Sequence, residues 1–209
     1  MITAGYCTLE EFREHLSEDA SQNDHDSLYE QKIEAASRGV DNFCGLPPGR
    51  FLLDSAATAR TYLAGGGWML QVDPIGDIAT AIVKTGTGNG TYGTTLTVTS
   101  NYIFEPLNAI ADGEPVTRIR LSDGQQWPIS LYGTPQVQVT ARWGWPTLPA
   151  PVKQATLLVA SELWTRRNTP LGVLQSVEFG PIRISKDMYQ SVSSILQRYR
   201  TGAAVGPMA

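Results

Sequence analysis

The spacing of polar and apolar residues near the N-terminus predicts two helices separated by a polar loop. Thr8 and Glu11 are spaced as in a capping box, in which each side chain bonds the backbone N–H of the other residue. Ser27 and Glu30 repeat this spacing at the predicted start of the second helix, and Gly45 is predicted to end it. The apolar stripe predicted for the second helix consists of Leu28, Ile33, Ala36, Val40 and Phe43.

Between about residues 50 and 145 the pattern changes to short β-branched and aromatic runs separated by Gly, Asp, Asn and Pro. Such runs are typical of antiparallel strands joined by tight turns. The sequence therefore predicts about six strands that form a sandwich or a small barrel. The six runs are ARTYLAG, WMLQVDP, ATAIVKTG, TTLTVTSNYIFEP, VTRIRLSDG and QVQVTARWGW.

Helical spacing returns after this region. Pro151 is suited to the first position of a helix, where a backbone N–H has no partner in any case, and Val152, Ala155 and Val159 follow on one face. The segment FGPIRIS is predicted to be extended, and Ser185 to cap a last helix. The apolar stripe predicted for that helix consists of Met188, Val192, Ile195, Leu196 and Tyr199.

These elements predict an α+β fold in which helices from both ends of the chain form a helical base and an antiparallel β-rich region is inserted between them. A chain of 209 residues suits one domain with a large insertion. The expected segments are 1–49 for the N-terminal helices, 50–146 for the β-rich region, 147–200 for the C-terminal helices and 201–209 for a flexible tail. No apolar run is long enough to span a membrane and the start is unlike a signal peptide, so we expect a soluble protein made in a cytoplasm.

The net charge of −4 is unevenly distributed. Residues 1–41 hold ten acids and three bases, whereas residues 151–209 hold three acids and seven bases, so the two ends differ by 11 charges (−7 against +4). Opposite charges at the two ends would suit head-to-tail contacts between copies or contacts with a partner. Two oppositely charged, solvated faces are the equally open alternative.

The residues that usually carry catalysis or bind metals are sparse. The two cysteines, Cys7 and Cys44, are far apart and favour buried free thiols, although a disulfide stays open. The two histidines, His15 and His25, lie among carboxylates without a third ligand at a suitable spacing, so we expect no metal site. A nucleophile motif of the G-x-S-x-G type is absent, and the sequence predicts neither an enzyme nor a cofactor.

The run GNGTYG, from Gly88 to Gly93, matches the G-x-G-x-x-G pattern of dinucleotide-binding loops. Such a loop needs a helix after it, because the amides at the start of the helix bind the pyrophosphate. A strand-like run follows here, so we interpret GNGTYG as a hairpin turn.

Basic and aromatic residues are combined at two places near the C-terminus. Arg166 and Arg167 follow Trp164, and Arg198 and Arg200 flank Tyr199. Because the clusters are small and the whole chain is acidic, sequence-specific DNA binding is disfavoured. The cations are favourable at helix C-termini, and Trp, Tyr and Arg are also the residues that most often anchor protein interfaces.

One passage carries a resemblance to a known family. A strand ends in an aromatic-Gly turn, P-x-x-V/L-K-Q-A follows, and an aliphatic helix closes on W/Y-x-x-R, all within residues 139–167. With the preceding helix pair and β region, this order resembles the head-to-tail connectors, or adaptors, of long-tailed double-stranded-DNA bacteriophages over roughly residues 5–200. The residues that match the motif or border it are Trp143, Trp145, Pro151, Val152, Lys153, Gln154, Ala155, Trp164 and Arg167.

The resemblance implies a virion protein of the phage neck that forms a ring of identical subunits, usually twelve. Such a ring binds the portal, extends the DNA channel without sequence-specific contacts and presents a surface to the next neck or tail protein. By analogy, the C-terminal segment would reach the portal, with Arg183, Arg198, Tyr199 and Arg200 as docking candidates. We further expect Trp143 and Trp145 to pin the β region to the helical base, which is compatible with ordinary core packing.

Two features depart from the smaller connectors, namely the long β-rich region and the extended segment before the last helix. These departures bear on which surface faces which partner. Two alternative functions are also kept. The first is a stopper or tail-completion protein one ring lower in the neck. The second is a β-rich module that binds a glycan, which the Gly-, Thr- and aromatic-rich hairpins suggest.

Overall fold

The computed structural model describes residues 5–17, 24–86, 90–122, 124–129, 133–168, 173–176, 180–183 and 190–200. The α+β fold with an inserted antiparallel β region is confirmed. Contacts between residues divide the chain into a helical unit, residues 1–49 with 148–209, and a β unit, residues 50–147. The predicted tail, 201–209, lies outside the described residues.

Among the described residues, the helical unit contains four helices and a small hairpin. The helices are α1 (Leu9–His15), α2 (Asp26–Cys44), α3 (Ala150–Asn168) and α4 (Gln190–Leu196), and a short 3-10 helix follows at Gln197–Tyr199. In the hairpin, β7 (Val173–Ser176) pairs antiparallel with β8 (Gly180–Arg183). The predicted extended segment therefore corresponds to β8, whereas β7 was not predicted.

The start of α1 agrees with the prediction, and the start of α2 differs from it. Thr8 Oγ1 accepts the backbone N–H of Glu11 at 3.2 Å and Glu11 Oε2 accepts that of Thr8 at 3.0 Å, so the first capping box is confirmed. The second capping box, at Ser27, is wrong, because α2 already begins at Asp26. The carboxylate of Asp26 forms an ion pair with Arg13 of α1, and this contact lies outside the local pattern.

Gly45 ends α2 as predicted. Its φ of 71° is left-handed, and the N–H groups of Gly45 and Leu46 bond the carbonyls of Asn42 and Asp41, as in a Schellman motif. The buried face of α2 differs from the predicted stripe, since Leu28 and Phe43 are only half-buried. The buried residues of α2 are Tyr29, Ile33, Ala36, Ser37, Val40, Asp41 and Cys44.

Helix α3 packs against α2 and α4. The carbonyl of Pro149 accepts the N–H groups of Val152 and Lys153 at 3.0 and 3.1 Å, so α3 begins at Ala150 and Pro151 takes its second position. In α4, Val192 and Leu196 are buried, in agreement with the predicted stripe. The predicted cap Ser185 and the stripe residue Met188 lie outside the described residues.

The described part of the β unit forms one antiparallel sheet of six strands. Its order is β1-β6-β2-β5-β4, with β3 on β2, and the path does not close into a barrel. The predicted number of strands agrees, but two predicted runs join into β2 and one run divides into β3 and β4. The strands are β1 (Thr58–Tyr62), β2 (Met69–Thr85), β3 (Thr94–Leu96), β4 (Tyr102–Glu105), β5 (Val116–Leu121) and β6 (Val137–Trp143).

Strand β2 changes partners along its length. Its first half pairs with β5, its second half with β6, and its last three residues also with β3. The turn signals around Pro74 and Gly76 produce register shifts instead of a chain reversal. A Cβ on Gly76 would lie 2.7 Å from Leu53 and 2.9 Å from the carbonyl oxygen of Gly144, so only glycine fits at this bend. Strand β2 pairs antiparallel with β3, and the run GNGTYG falls between these two strands in the sequence, partly outside the described residues.

The core of the β unit is built around two tryptophans. Trp143 is fully buried, and its indole N–H donates to the carbonyl of Thr58 at 2.9 Å. Trp127 lies in the segment after β5 and is 2% exposed in the same core. Alternate residues of β6 point inward to complete it, namely Val137, Val139, Ala141 and Trp143.

Candidate interface surfaces

The motif residues on α3 show which part of its surface is used for internal packing. Val152 and Ala155 of α3 are fully buried. Pro151 and Gln154 are exposed. The motif helix therefore has one face in the core of the helical unit and one face open to contact. The roles predicted for these residues stay predictions.

Lys153 joins α3 to α1. Its ammonium forms an ion pair with the carboxylate of Glu11, which also closes the capping box of α1. This hydrogen bond from Lys153 is the main reason why the pKa of Glu11 lies below its usual value. Because both side chains are more than one-third exposed, the pair orients α1 more than it stabilises the fold.

A polar network around Asp41 lies in the interior of the helical unit and was not predicted. The carboxylate of Asp41 is fully buried and accepts hydrogen bonds from the hydroxyl of Tyr6 and, at 3.0 Å, from the backbone N–H of Gly49. Arg38 adds an ion pair at 3.3 Å. Burial raises the pKa of Asp41, while these three partners act in the opposite direction. In the sequence, the feature that indicates this network is an acidic residue on the apolar face of α2. Ser37 lies next to Asp41 on that face, and its hydroxyl accepts the backbone N–H of Tyr6 at 3.1 Å.

Trp164 belongs to an aromatic cluster within the helical unit. Its ring meets that of Tyr29 edge-on at a centroid distance of 4.6 Å, and the ring of His25 lies 5.4 Å away. The guanidinium of Arg167 stacks over Trp164 at 5.0 Å. Trp164 and Arg167 of the W-x-x-R motif therefore form a cation–π pair on α3. Tyr29 of α2 and His25, which directly precedes α2, pack against Trp164.

The aromatic-Gly turn lies within the β unit. Trp143 packs against Tyr62, and the guanidinium of Arg60 lies 4.4 Å from the centre of its ring. Trp145 is half-buried, with its ring 5.8 Å from that of Phe51. These contacts place both tryptophans in the packing of the β unit. The expectation that they pin the β region to the helical base stays a prediction.

The predicted docking residues lie at the end of the described chain. Arg198 and Arg200 are exposed and Tyr199 is half-buried. The guanidinium of Arg200 lies 5.3 Å from the ring of Phe43 on α2, so it is held against the helical unit. Arg183 ends β8, and its side chain lies outside what the structure describes.

Groups suited to chemistry are not assembled in the described part of the chain. Those residues hold no group of three or more His, Cys, Asp or Glu side chains placed to bind a metal ion. Cys7 and Cys44 are both buried and free, as predicted, and burial raises the pKa of each thiol to about 12. No helix in the described ranges is long and apolar enough to cross a bilayer.

The β unit carries the exposed apolar surface. All eight large hydrophobic residues that are exposed in the described ranges belong to it, with Trp68 at 55% exposure. Trp68 lines an open cavity of about 240 Å³, which shares Leu121, Gln125 and Gln126 with a second cavity of about 210 Å³. The two cavities form one groove, defined here as the Gln125–Gln126 groove.

The similarity of this chain to known proteins is a similarity of fold. The sequence matches no family model and no curated protein. Its structure is similar to a chain in the neck of an empty GTA (gene transfer agent) particle computed with C6 symmetry, with 20% identity over 96% of this chain and 92% of that chain and a TM-score of 0.55. A chain in the virion of a native GTA particle gives 19% identity, the same coverages and a TM-score of 0.54. A chain in the neck of a native GTA particle computed with C12 symmetry gives 20% identity over 95% and 90%, with a TM-score of 0.51. The fold is therefore shared with phage-like neck particles over almost the whole chain.

Proposed function

We propose that this chain is a non-enzymatic structural protein of a phage-type virion neck that assembles into a ring of identical subunits. The observation that carries this proposal is the full-length similarity to chains in neck structures computed with six-fold and twelve-fold symmetry. The shared fold covers 96% of this chain and 92% of that chain. The resemblance of residues 139–167 to phage connectors supports the same function independently of the fold.

The ring contains twelve copies and binds the portal of the filled capsid in this proposal. It extends the DNA channel and presents its opposite side to the next neck or tail protein. A channel works best when its wall holds DNA weakly, because dense phosphate contacts would slow passage. The overall charge of −4 suits a wall of this kind.

The first experiment is mass photometry of the purified chain, alone and mixed with the portal ring of the same phage. An increase of the portal mass by about twelve subunits of 22.7 kDa supports the connector function. A chain that leaves the portal unchanged contradicts it and favours the lower-ring alternative, a stopper or tail-completion protein. Incubation with preassembled portal–connector rings then tests that alternative directly.

Docking through the C-terminal cations is tested by charge reversal. Arg198→Glu with Arg200→Glu should leave the fold formed, since both side chains are exposed and the contact of Arg200 with Phe43 contributes only about 1 kcal/mol, and should weaken binding to the portal. The matched control is Arg198→Lys with Arg200→Lys, which keeps the charges at the same positions. Equal portal binding by the Glu and Lys variants would reject these residues as the docking site.

A further inference from the structure

The hairpin of β7 and β8 lacks the support that a two-stranded sheet needs. The two strands pair only with each other, and neither packs closely against another of the described helices or strands. A two-stranded hairpin by itself is marginally stable in water, and a third strand or an apolar surface is needed to support it. The hairpin is therefore suited to receive a further strand from another molecule.

A proline decides which edge of the hairpin can receive that strand. Pro181 lies within β8, opposite Gln175 of β7. Because proline has no backbone N–H, it is confined within sheets to edge strands. Strand β8 is therefore the outer strand of any larger sheet, and a third strand pairs along β7. The sequence of β7 is Val-Leu-Gln-Ser, which contains neither proline nor charge.

Strand β1 is an open edge of the six-stranded sheet. All five of its residues pair with β6, and no other described strand pairs with it. The carbonyl of Thr58 accepts the indole N–H of Trp143, which also belongs to β6. In the described chain the other backbone edge of β1 is thus unpaired, and the side chains of Thr58, Ala59 and Thr61 are exposed. Such an edge is a template for a strand from another chain.

The remaining edges of this sheet are less suited to strand addition. Strand β4 has four residues and is followed directly by Pro106. The carbonyl of Tyr102 in β4 already accepts the backbone N–H of Thr99 at 2.7 Å, so the preceding turn covers the start of this strand. Strand β3 has only three residues. Among the described strands, β1 and β7 are therefore the edges that combine at least four residues with the absence of proline and of a covering turn.

The symmetry of a ring decides how these two edges combine. Pairing of β1 with β1, or of β7 with β7, uses the same surface on both copies, and such a contact closes at a dimer. A cyclic ring needs two different surfaces, so that each copy contacts one neighbour through the first and the other neighbour through the second. Pairing of β7 with β1 meets this condition.

We propose that β7 of one copy pairs with β1 of the next copy, so that backbone hydrogen bonds between strands join adjacent subunits of the ring. This inference rests on the proposed ring function and specifies its subunit contact. The added strand lies about 4.8 Å from β1, as neighbouring strands in a sheet do, and the hairpin gains the third strand that it lacks. The contact is nearly neutral, because β7 is uncharged and Arg60 of β1 is paired with Asp73 at 2.7 Å.

Cysteine crosslinking tests the contact. Thr61→Cys and Gln175→Cys place one thiol in each strand, while the native Cys7 and Cys44 are buried thiols with pKa values of about 12 and do not compete. After assembly on the portal ring, a short bismaleimide should convert the double variant into a ladder of covalent oligomers. A mixture of the two single variants should give linked pairs and nothing longer, because each copy then takes part in one link.

The matched control is Thr95→Cys combined with Gln175→Cys, since Thr95 is exposed on β3, another edge of the same sheet. An equal ladder from the control overturns the contact, and so does a ring by mass photometry without any ladder from the Thr61 pair. Linked pairs from Thr61→Cys alone indicate β1 against β1 and also overturn it. In each of these cases a ring leaves the proposed function standing, whereas failure of the parent chain to form any ring overturns both.

Hydrogen exchange measures the backbone pairing itself. Because alternate N–H groups of an edge strand point away from its neighbour, about half of the amides in β1 and β7 should exchange more slowly, by about tenfold or more, in the ring than in the free chain. The amides of β4 should not change. Slower exchange in β7 without slower exchange in β1 would assign β7 to the portal and overturn the contact between copies.

A variant of β1 separates assembly from folding. Lysine on an edge strand discourages pairing with a further strand. Ala59→Lys with Thr61→Lys should therefore weaken assembly by about tenfold or more at an unchanged melting temperature, since both side chains are exposed. The matched control, Ala59→Thr with Thr61→Val, keeps residues that favour strands and should assemble like the parent. Normal assembly of the lysine variant would overturn the contact.

Discussion

The ring of Trp164 on α3 meets the ring of Tyr29 on α2 edge-on, with their centroids 4.6 Å apart. Tyr29 is fully buried, whereas Trp164 is half-buried beneath Arg167. The pair joins a motif residue of the C-terminal half to the N-terminal helix pair. It is therefore a contact on which the helical unit depends.

Trp164→Ala should destabilise the fold by about 2–4 kcal/mol. A fully buried aromatic loses about 3–5 kcal/mol when it is truncated to Ala, and the partial exposure of Trp164 reduces this cost. Urea denaturation followed by far-UV circular dichroism measures the change. Trp68→Ala is the control, because the exposed Trp68 should alter stability by less than about 0.5 kcal/mol. Equal stability of both variants and the parent would place Trp164 in an intermolecular contact instead.

Asp41 should make the stability of the helical unit depend on pH. Because burial raises its pKa above the ordinary 3.8, the folded state holds the proton more tightly than the unfolded state. The contribution of Asp41 is then most favourable below the unfolded pKa and declines as pH rises through the interval up to the folded pKa. Asp41→Asn does not titrate and lacks this decline. The free energy of unfolding is measured for both chains from pH 4 upward in small steps. The parent should lose stability relative to Asp41→Asn as the pH rises. Parallel curves for the two chains would contradict this prediction.

Cys7 and Cys44 should resist thiol reagents in the folded protein. Their pKa values of about 12 leave almost no thiolate near neutral pH, and the side chains are 5% and 1% exposed. Labelling with DTNB should be very slow in buffer and complete for both thiols in urea. An Ala79→Cys variant serves as the positive control, because position 79 is exposed. Rapid labelling of the folded parent would mean that the helical unit opens locally.

Gly144 should tolerate no side chain. Its φ is +112°, and a Cβ there would lie 1.9 Å from the carbonyl oxygen of Leu52. Gly144→Ala should therefore cost more than about 3 kcal/mol or prevent folding, since it combines backbone strain with a backbone clash. Gly93→Ala is the control, because nothing lies within 4 Å of a Cβ at that position. Soluble yield and thermal unfolding compare the two, and similar melting temperatures would reject the argument.

The sequence by itself determined the features that depend on neighbouring residues. The capping box of Thr8 and Glu11, the left-handed end of α2 at Gly45 and the alternating inward residues of β6 all follow from local geometry. The number of strands and the α+β order followed from the same kind of signal. The resemblance of residues 139–167 to connectors required only the order of residue types along one strand, turn and helix.

Only the tertiary structure decided the features that depend on residues far apart in the chain. Asp26 extends α2 by pairing with Arg13, and Tyr6 and Gly49 make an interior position possible for Asp41. The turn signals near Pro74 became a bend in a continuous strand because β5 and β6 supply ladder partners on either side of it. The cavity beside Trp127 is lined by Thr85, Leu96 and Leu121, which are far apart in the sequence. Local propensities cannot encode such contacts, since their free energy arises when distant segments pack together.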